Sequence, residues 1–245
     1  MYRQLGREYH MTALGLTGAA IPRTIILLGV LDVVSHAARW RSHFDRVTET
    51  RLPNLYIGQR AGGTCAFAAA YGGPMAATYL HAFAVMGAER AILIGSCGGL
   101  EPTLQVGEFV VPDRVAHEDG GGRLYRPGMP ETAATPTLNA ELAAALRERG
   151  ARVRGGLSVS TDSFLAETVE DIARWQQQGC VGVDMEASTV FAVADHFGIE
   201  RAAALYVIDP IGAGRDALAL TEAERLTVRE ARRIQIEAVL TVALQ

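Results

Sequence analysis

Cysteine is scarce. The 245-residue sequence has three, Cys65, Cys97 and Cys180, far apart and without a C-x-x-C pair. That excludes the common zinc and dithiol frameworks and implies reduced, buried thiols of a cytoplasmic protein. Basic runs are missing too: with a net charge of −4 and no Lys/Arg-rich stretch there is no field for a polyanion, so nucleic acid is not an expected partner. No apolar run reaches membrane-spanning length, and residues 1–17 mix Arg3, Arg7, Glu8 and His10 with apolar residues, unlike a secretory signal. His36, His43, His81, His117 and His196 share no metal-ligand spacing. Neither a dinucleotide G-x-G-x-x-G nor a Walker lysine is present, so no metal or nucleotide cofactor is expected.

What the chain does have is apolar mass, 49% hydrophobic residues against 20% charged, enough for a sizeable core. No repeat, linker or low-complexity tract divides it, so residues 1–245 read as one domain. Residues 24–29 (TIILLG) have the pattern of a first buried strand. A turn at 29–32 leads from it to a helix through Val34, Ala37, Ala38 and Trp40. Strands are expected at 56–58, 64–70, 90–95, 108–112, 155–160, 180–185 and 202–208. Helices are expected at 74–86, 137–149, 169–178 and 186–197, and a closing helix at 221–244 starts with a Thr221/Glu224 capping box. Residues 95–100 read as a glycine-rich turn and 117–130 as an exposed Gly/Pro loop. Strands alternating with helices, plus an added strand pair, predict a three-layer α/β/α sandwich around a mixed, partly barrel-like sheet.

Chemistry gathers at the expected strand ends. In Gly182-Val183-Asp184-Met185-Glu186-Ala187-Ser188, Glu186 falls between a strand and a helix, where a carboxylate can accept two hydroxyl hydrogen bonds such as a ribose diol offers. A carboxylate that merely complements the helix dipole is the plainer alternative. Gly95-Ser96-Cys97-Gly98-Gly99 presents backbone N–H groups and a hydroxyl at another strand end. Phe164 and Asp209 mark two more.

These stretches, with Leu14-Gly15-Leu16-Thr17, Tyr71-Gly72-Gly73-Pro74 and Ser160-Thr161-Asp162-Ser163-Phe164, resemble the nucleoside phosphorylase and nucleosidase superfamily over nearly the whole chain. The resemblance implies that Glu186 accepts the ribose hydroxyls, that Met185 packs on the sugar and that Phe164 stacks on the base. Ser96, Cys97, Gly98 and Val183 would complete the substrate site. Asp209 falls where purine-acting members protonate the leaving base, although Ile208 and Pro210 depart from their motif, and Arg225 resembles the arginine that assists. His10 is similar to a histidine that reaches a neighbouring subunit's 5′-hydroxyl, and Arg51 to an arginine lent across a dimer to phosphate. Uridine enzymes hold the uracil edge with Gln and Arg where this chain has Thr168 and Glu170, which favours a purine.

The phosphate site departs most. Phosphorolytic members carry arginines where this chain has Val33 and Leu93. Each charged hydrogen bond is worth roughly 1.5–3 kcal/mol, so two missing bidentate partners weaken phosphate binding by orders of magnitude. Gly29, Ser96 and Arg51 remain, and Asp32 either orients a water or caps the following helix. The expected activity is cleavage of the N-glycosidic bond of a purine-type nucleoside, hydrolysis ahead of phosphorolysis, in a homodimer or trimer of dimers, with phosphate entering only as a co-substrate. The alternative is a non-catalytic nucleoside- or nucleobase-binding paralogue.

Overall fold

The computed structural model describes residues 4–215 and 220–245; the first three residues of the amino-terminal segment, Arg3 among them, lie outside these. Helix α1 (Arg7–Leu14) precedes strand β1 (Thr24–Gly29) and helix α2 (Val33–Arg41). Strands β2 (Arg46–Glu49), β3 (Leu55–Arg60) and β4 (Gly63–Ala70) follow, then α3 (Gly73–Met86) and β5 (Arg90–Gly99). The middle of the chain holds β6 (Phe109–Val110), β7 (Arg114–His117), α4 (Gly120–Tyr125), β8 (Glu131–Ala133), α5 (Pro136–Arg147), β9 (Val153–Arg154) and β10 (Leu157–Ser160). Helix α6 (Val169–Gln177), β11 (Cys180–Asp184), α7 (Ala187–His196), β12 (Glu200–Asp209) and α8 (Glu222–Ala243) complete it. Among the described residues no helix is long and apolar enough to cross a membrane.

The strands form one mixed sheet in the order β2-β3-β4-β1-β5-β11-β10-β7-β8, with β12 also on β5 and β6 and β9 branching from β12. Helices cover both faces, as the sandwich reading expects. Ile25 and Leu27 of β1 pack under α1, α3 and α7 with Leu14, Leu80, Phe83 and Phe191, whereas Ile26 and Leu28 pack under α2, α5 and α8 with Trp40, Leu142 and Val239. A strand buried on both faces has no polar alternation, which explains the unbroken TIILLG run.

The junction of the sheet is β5. Its first six residues pair in parallel with β1, from Thr24↔Arg90 to Gly29↔Gly95, and its far end pairs antiparallel with β11 at Val183↔Gly98 and Gly182↔Gly99. On its other side β12 runs parallel along it from Glu200↔Arg90 to Asp209↔Gly98. The expected glycine-rich turn at 95–100 is therefore corrected: Gly95 to Gly99 continue the strand. The glycines serve contact, not turning. A Cβ at Gly95 would lie 2.6 Å from the Gly29 carbonyl oxygen, and one at Gly98 would lie 2.9 Å from Ile211 Cδ1 and 3.0 Å from Val183 Cγ1. The exposed loop expected at 117–130 is corrected in part: it holds the last residue of β7 and all of α4, anchored by the buried Asp119, while 127–130 are exposed and irregular.

Candidate active site

Where β11 hands over to α7, Asp184 takes the capping duty. One carboxylate oxygen accepts the backbone N–H of Glu186 at 3.1 Å and of Ala187 at 2.7 Å, and the other accepts the Ser160 hydroxyl. Ser160 Oγ in turn accepts the Ser188 N–H at 2.8 Å. With the helix start satisfied this way, Glu186 makes no side-chain cap bond and its carboxylate turns toward the sheet. Its Oε1 accepts the Gly72 N–H at 2.6 Å, and its Oε2 lies 2.8 Å from the place a Cβ on Gly29 would occupy. The bare backbone at Gly29 is what admits the carboxylate to the end of β1.

Behind this pair stands Asp119, 1% exposed, which accepts the hydroxyls of Ser188 and Thr189 and the N–H of Gly122 at 3.3 Å. Asp119 thereby ties the N-terminus of α4 to the first turn of α7. Asp184 and Glu186, each 6% exposed, sit in surroundings that disfavour charge. Burial, joined by the Asp184 charge, pushes the Glu186 carboxyl up to about 8, and burial pushes Asp184 up to about 6 against the hydrogen bonds it accepts. Asp119 did not stand out in the sequence, whereas Gly72, Ser160 and Ser188 lie within the quoted motif stretches but carried no assigned role.

The remaining candidates assemble around β5. Gly98 is flanked by Val183 on one side and Asp209 on the other. Val207 pairs with Cys97 and Asp209 with Gly98, so Ile208 is the extra residue of a bulge, a device that re-aims the side chain beyond it. Pro210 then opens a 3-10 turn over Ile211–Ala213. Ser96 is half-buried opposite Tyr206, and Met185 is half-buried beside Glu186. The Cys97 thiol is buried and pushed well up by burial and by the charges of Asp184 and Asp209, which makes it an inert lining group. Phe164 stands in a 3-10 turn with 51% of its surface exposed.

Four sequence candidates lie elsewhere. Arg51 reaches the carbonyl of Thr12 at 3.1 Å, and its backbone N–H bonds the Leu14 carbonyl, which brings it to the end of the helix that carries His10. His10 meets the Tyr9 ring edge-on and the His81 ring at a tilt, and burial pushes its imidazole down. Asp32 is exposed and caps α2 by accepting the Ser35 N–H at 3.1 Å. Arg225, in the first turn of α8, has Glu222 as its ion-pair partner at 3.6 Å. At the two positions that would carry phosphate arginines, Leu93 is fully buried in the core and Val33, the first residue of α2, is partly buried against it.

A profile of the phosphorylase superfamily matches residues 23–243. Guanosine phosphorylase of Halorubrum lacusprofundi is 33% identical over 140 residues, 56% of this chain and 57% of that protein. 5′-Methylthioadenosine/S-adenosylhomocysteine nucleosidase of Marinomonas sp. is 41% identical over 119 residues, 45% of this chain and 52% of that one. A DeoD-type purine nucleoside phosphorylase of Clostridium beijerinckii is 27% identical over 164 residues, covering 64% and 63%. The chain thus spans 52–63% of the length of these relatives. In fold it is similar to uridine phosphorylase of Vibrio fischeri, with a TM-score of 0.76 at 22% identity over 91% of this chain and 92% of the other.

Proposed function

Because the chain belongs to the phosphorylase superfamily, we propose that it breaks the N-glycosidic bond of a purine-type nucleoside and releases the base, with water as the acceptor. The observation that carries this reading is the Glu186 carboxylate, buried at the ends of β1 and β11 with both oxygens turned away from its own helix. There it can hold the two ribose hydroxyls while Asp209, one strand away across Gly98, donates a proton to the departing base. Cleavage through an oxocarbenium-like state needs a better leaving group more than a strong nucleophile, and such general-acid help is worth about 10²–10⁴-fold. A guanosine phosphorylase and a 5′-methylthioadenosine/S-adenosylhomocysteine nucleosidase are among the relatives, and a purine is further supported by Thr168, whose hydroxyl caps α6 and bonds Asp171.

Water is favoured by Leu93, a core residue, and Val33, partly buried and apolar, where two phosphate-binding arginines would stand. Turnover is therefore expected to be nearly independent of phosphate and to yield free ribose. Base release measured over a nucleoside panel, with and without phosphate, tests both parts: a strict phosphate requirement with ribose 1-phosphate as product would remove water as acceptor. Base released from none of the panel would remove the cleavage reading itself.

Arg51 bonds the end of α1, the helix that carries His10, so the two belong to one neighbourhood, which supports their serving a neighbouring subunit's site together. The active unit is then at least a dimer. Light scattering coupled to an activity assay checks this, and a fully active monomer would contradict it.

A further inference from the structure

Helices α2 and α8 meet over the ends of β1, β5 and β12, and between them lies a cavity of about 30 Å³ walled by the apolar side chains of Leu28, Ile94 and Trp40. Its polar groups come from three elements. Arg232 of α8 donates its Nε–H to the Tyr206 hydroxyl of β12 at 2.8 Å and lies over that ring, 5.6 Å from its centre. Tyr206 is only 4% exposed, and because its oxygen accepts from Arg232, its own O–H is left for another acceptor. Helix α2 adds Arg39 and the half-buried His36, whose Nδ1–H goes to the Asp32 carbonyl at 2.9 Å and leaves Nε2 as the second ring nitrogen. Among the described residues neither Arg39 nor Arg232 has a carboxylate within ion-pair distance, whereas Arg41 pairs with Glu49 and Arg233 with Glu230 and Glu237. Asp32, the acid whose charge acts on Arg39 and His36, is exposed and holds the Ser35 N–H. Burial first, and then the charges of Arg232 and Arg39, hold the His36 ring below its ordinary range against the Asp32 carbonyl bond. Gln235 spends its amide N–H groups on the carbonyls of Gly95 at 2.9 Å and Ala204 at 2.6 Å, which keeps both from facing an anion.

We propose that this cavity binds a phosphoryl group, as free phosphate or as the end of a phosphate monoester, held by Arg39 and Arg232 with the Tyr206 hydroxyl and the His36 ring beside it. Its size admits about two oxygen-sized atoms and no base or sugar, so the rest of the ligand stays outside, beside the exposed Arg39. Donors converging from α2, α8 and β12 suit a tetrahedral oxyanion; a planar carboxylate would be satisfied by one fork of two. Apolar walls strengthen the attraction, since charges meet there in a medium less screening than water. The cavity is separate from the bond-cleaving site. Leu28 faces it from one side of β1, whereas a Cβ on the next residue, Gly29, would point at Glu186 on the other. The backbones of β1 and β5 therefore stand between the bound group and the ribose, and phosphate held here is a ligand and not the acceptor of the sugar.

Inorganic phosphate, ribose 5-phosphate, ribose and acetate are titrated into the full chain by calorimetry at constant ionic strength. The two phosphates are expected to bind, acetate about tenfold or more weakly, and ribose not at all. Arg39→Met and Arg232→Met should each weaken phosphate binding about tenfold or more, the loss of a charged hydrogen bond. Arg232 also holds Tyr206, so the decisive variant is Arg39→Met, whose side chain has no such contact to lose; its base release should equal that of the wild type. Tighter binding of ribose 5-phosphate than of phosphate identifies an ester as the ligand, the reverse order identifies the free ion, and either upholds the site. No binding of either phosphate, acetate binding as tightly as phosphate, or phosphate affinity unchanged in Arg39→Met overturns it. All of these are read whether or not any nucleoside is cleaved.

Discussion

An Asp209→Asn variant is expected to lose about 10²–10⁴-fold in kcat on a neutral purine nucleoside, with KM little changed. The amide keeps the shape of the side chain but has no acidic proton, and the proton is needed only as the bond breaks. Glu186→Gln should lower kcat and raise KM together, because the ribose hydroxyl bonds exist in the ground state and strengthen toward the transition state. A p-nitrophenyl riboside, whose leaving group departs without protonation, separates the two. It should restore most of the Asp209→Asn rate and none of the Glu186→Gln loss. Equal losses for both variants on that substrate would mean that the bulge at Ile208 has turned Asp209 away from the base.

Stability should fall as pH rises across the neutral range, and Glu186 is the main reason. Its carboxyl titrates near 4.5 in an unfolded chain and about 8 in the folded one, so between those values the native state binds more protons than the unfolded state. The contribution is fully present below about 4.5 and is lost by about 8; Asp184 behaves alike between 3.8 and about 6. The combined loss is on the order of a few kcal/mol. His10 and His117, held down by burial, work in the opposite sense below their ordinary 6.5. Urea unfolding of wild type and Glu186→Gln at about pH 5, 6.5 and 8.5 isolates the carboxyl, because the difference between the two proteins cancels the histidines. Wild-type stability that rises with pH in parallel with the variant would rule the buried, proton-holding Glu186 out.

The strands and helices that the sequence announces are the ones with strong local cause. TIILLG, RAILIG and the capping box at Thr221 and Glu224 all appear where expected. Helices α1 and α4 and strands β2, β7, β8 and β9 were not legible, and three of these show why. Helix α1 buries only Met11 and Leu14, too few for a periodic stripe, and depends on the left-handed Gly15 that ends it. Helix α4 begins Gly-Gly-Gly, the poorest helix formers after proline, and exists because Asp119 caps it and the close approach of Thr189 and Ser188 leaves no room for a Cβ at Gly121 and Gly122. β2, with sequence RVTE, is an edge strand whose mostly exposed polar residues carry no hydrophobic signal. At the site the reading was better for groups than for their supports. Glu186 and Asp209 lie at strand ends as the resemblance implies, while the Asp184–Ser160–Ser188 scaffold that frees Glu186 is made of residues whose value is set only by tertiary contact.

The pairing of β5 with β12 has a consequence for how the chain comes to be built. Arg90 meets Glu200 both in strand register and through an ion pair at 2.6 Å, with 109 residues of chain between the two. A ribosome adding about 5–20 residues per second takes roughly 5–20 s to deliver the second strand after the first. During that interval β1, β4 and β5 can already associate, since each follows its partner closely, but one side of an uncharged run, Ala91 to Gly99, stays unpaired. Such an edge is a template for another nascent chain. Arg90 stands at the head of this edge as its one charged residue, so the contact that will later guide β12 into register also serves, until β12 arrives, to keep strangers out.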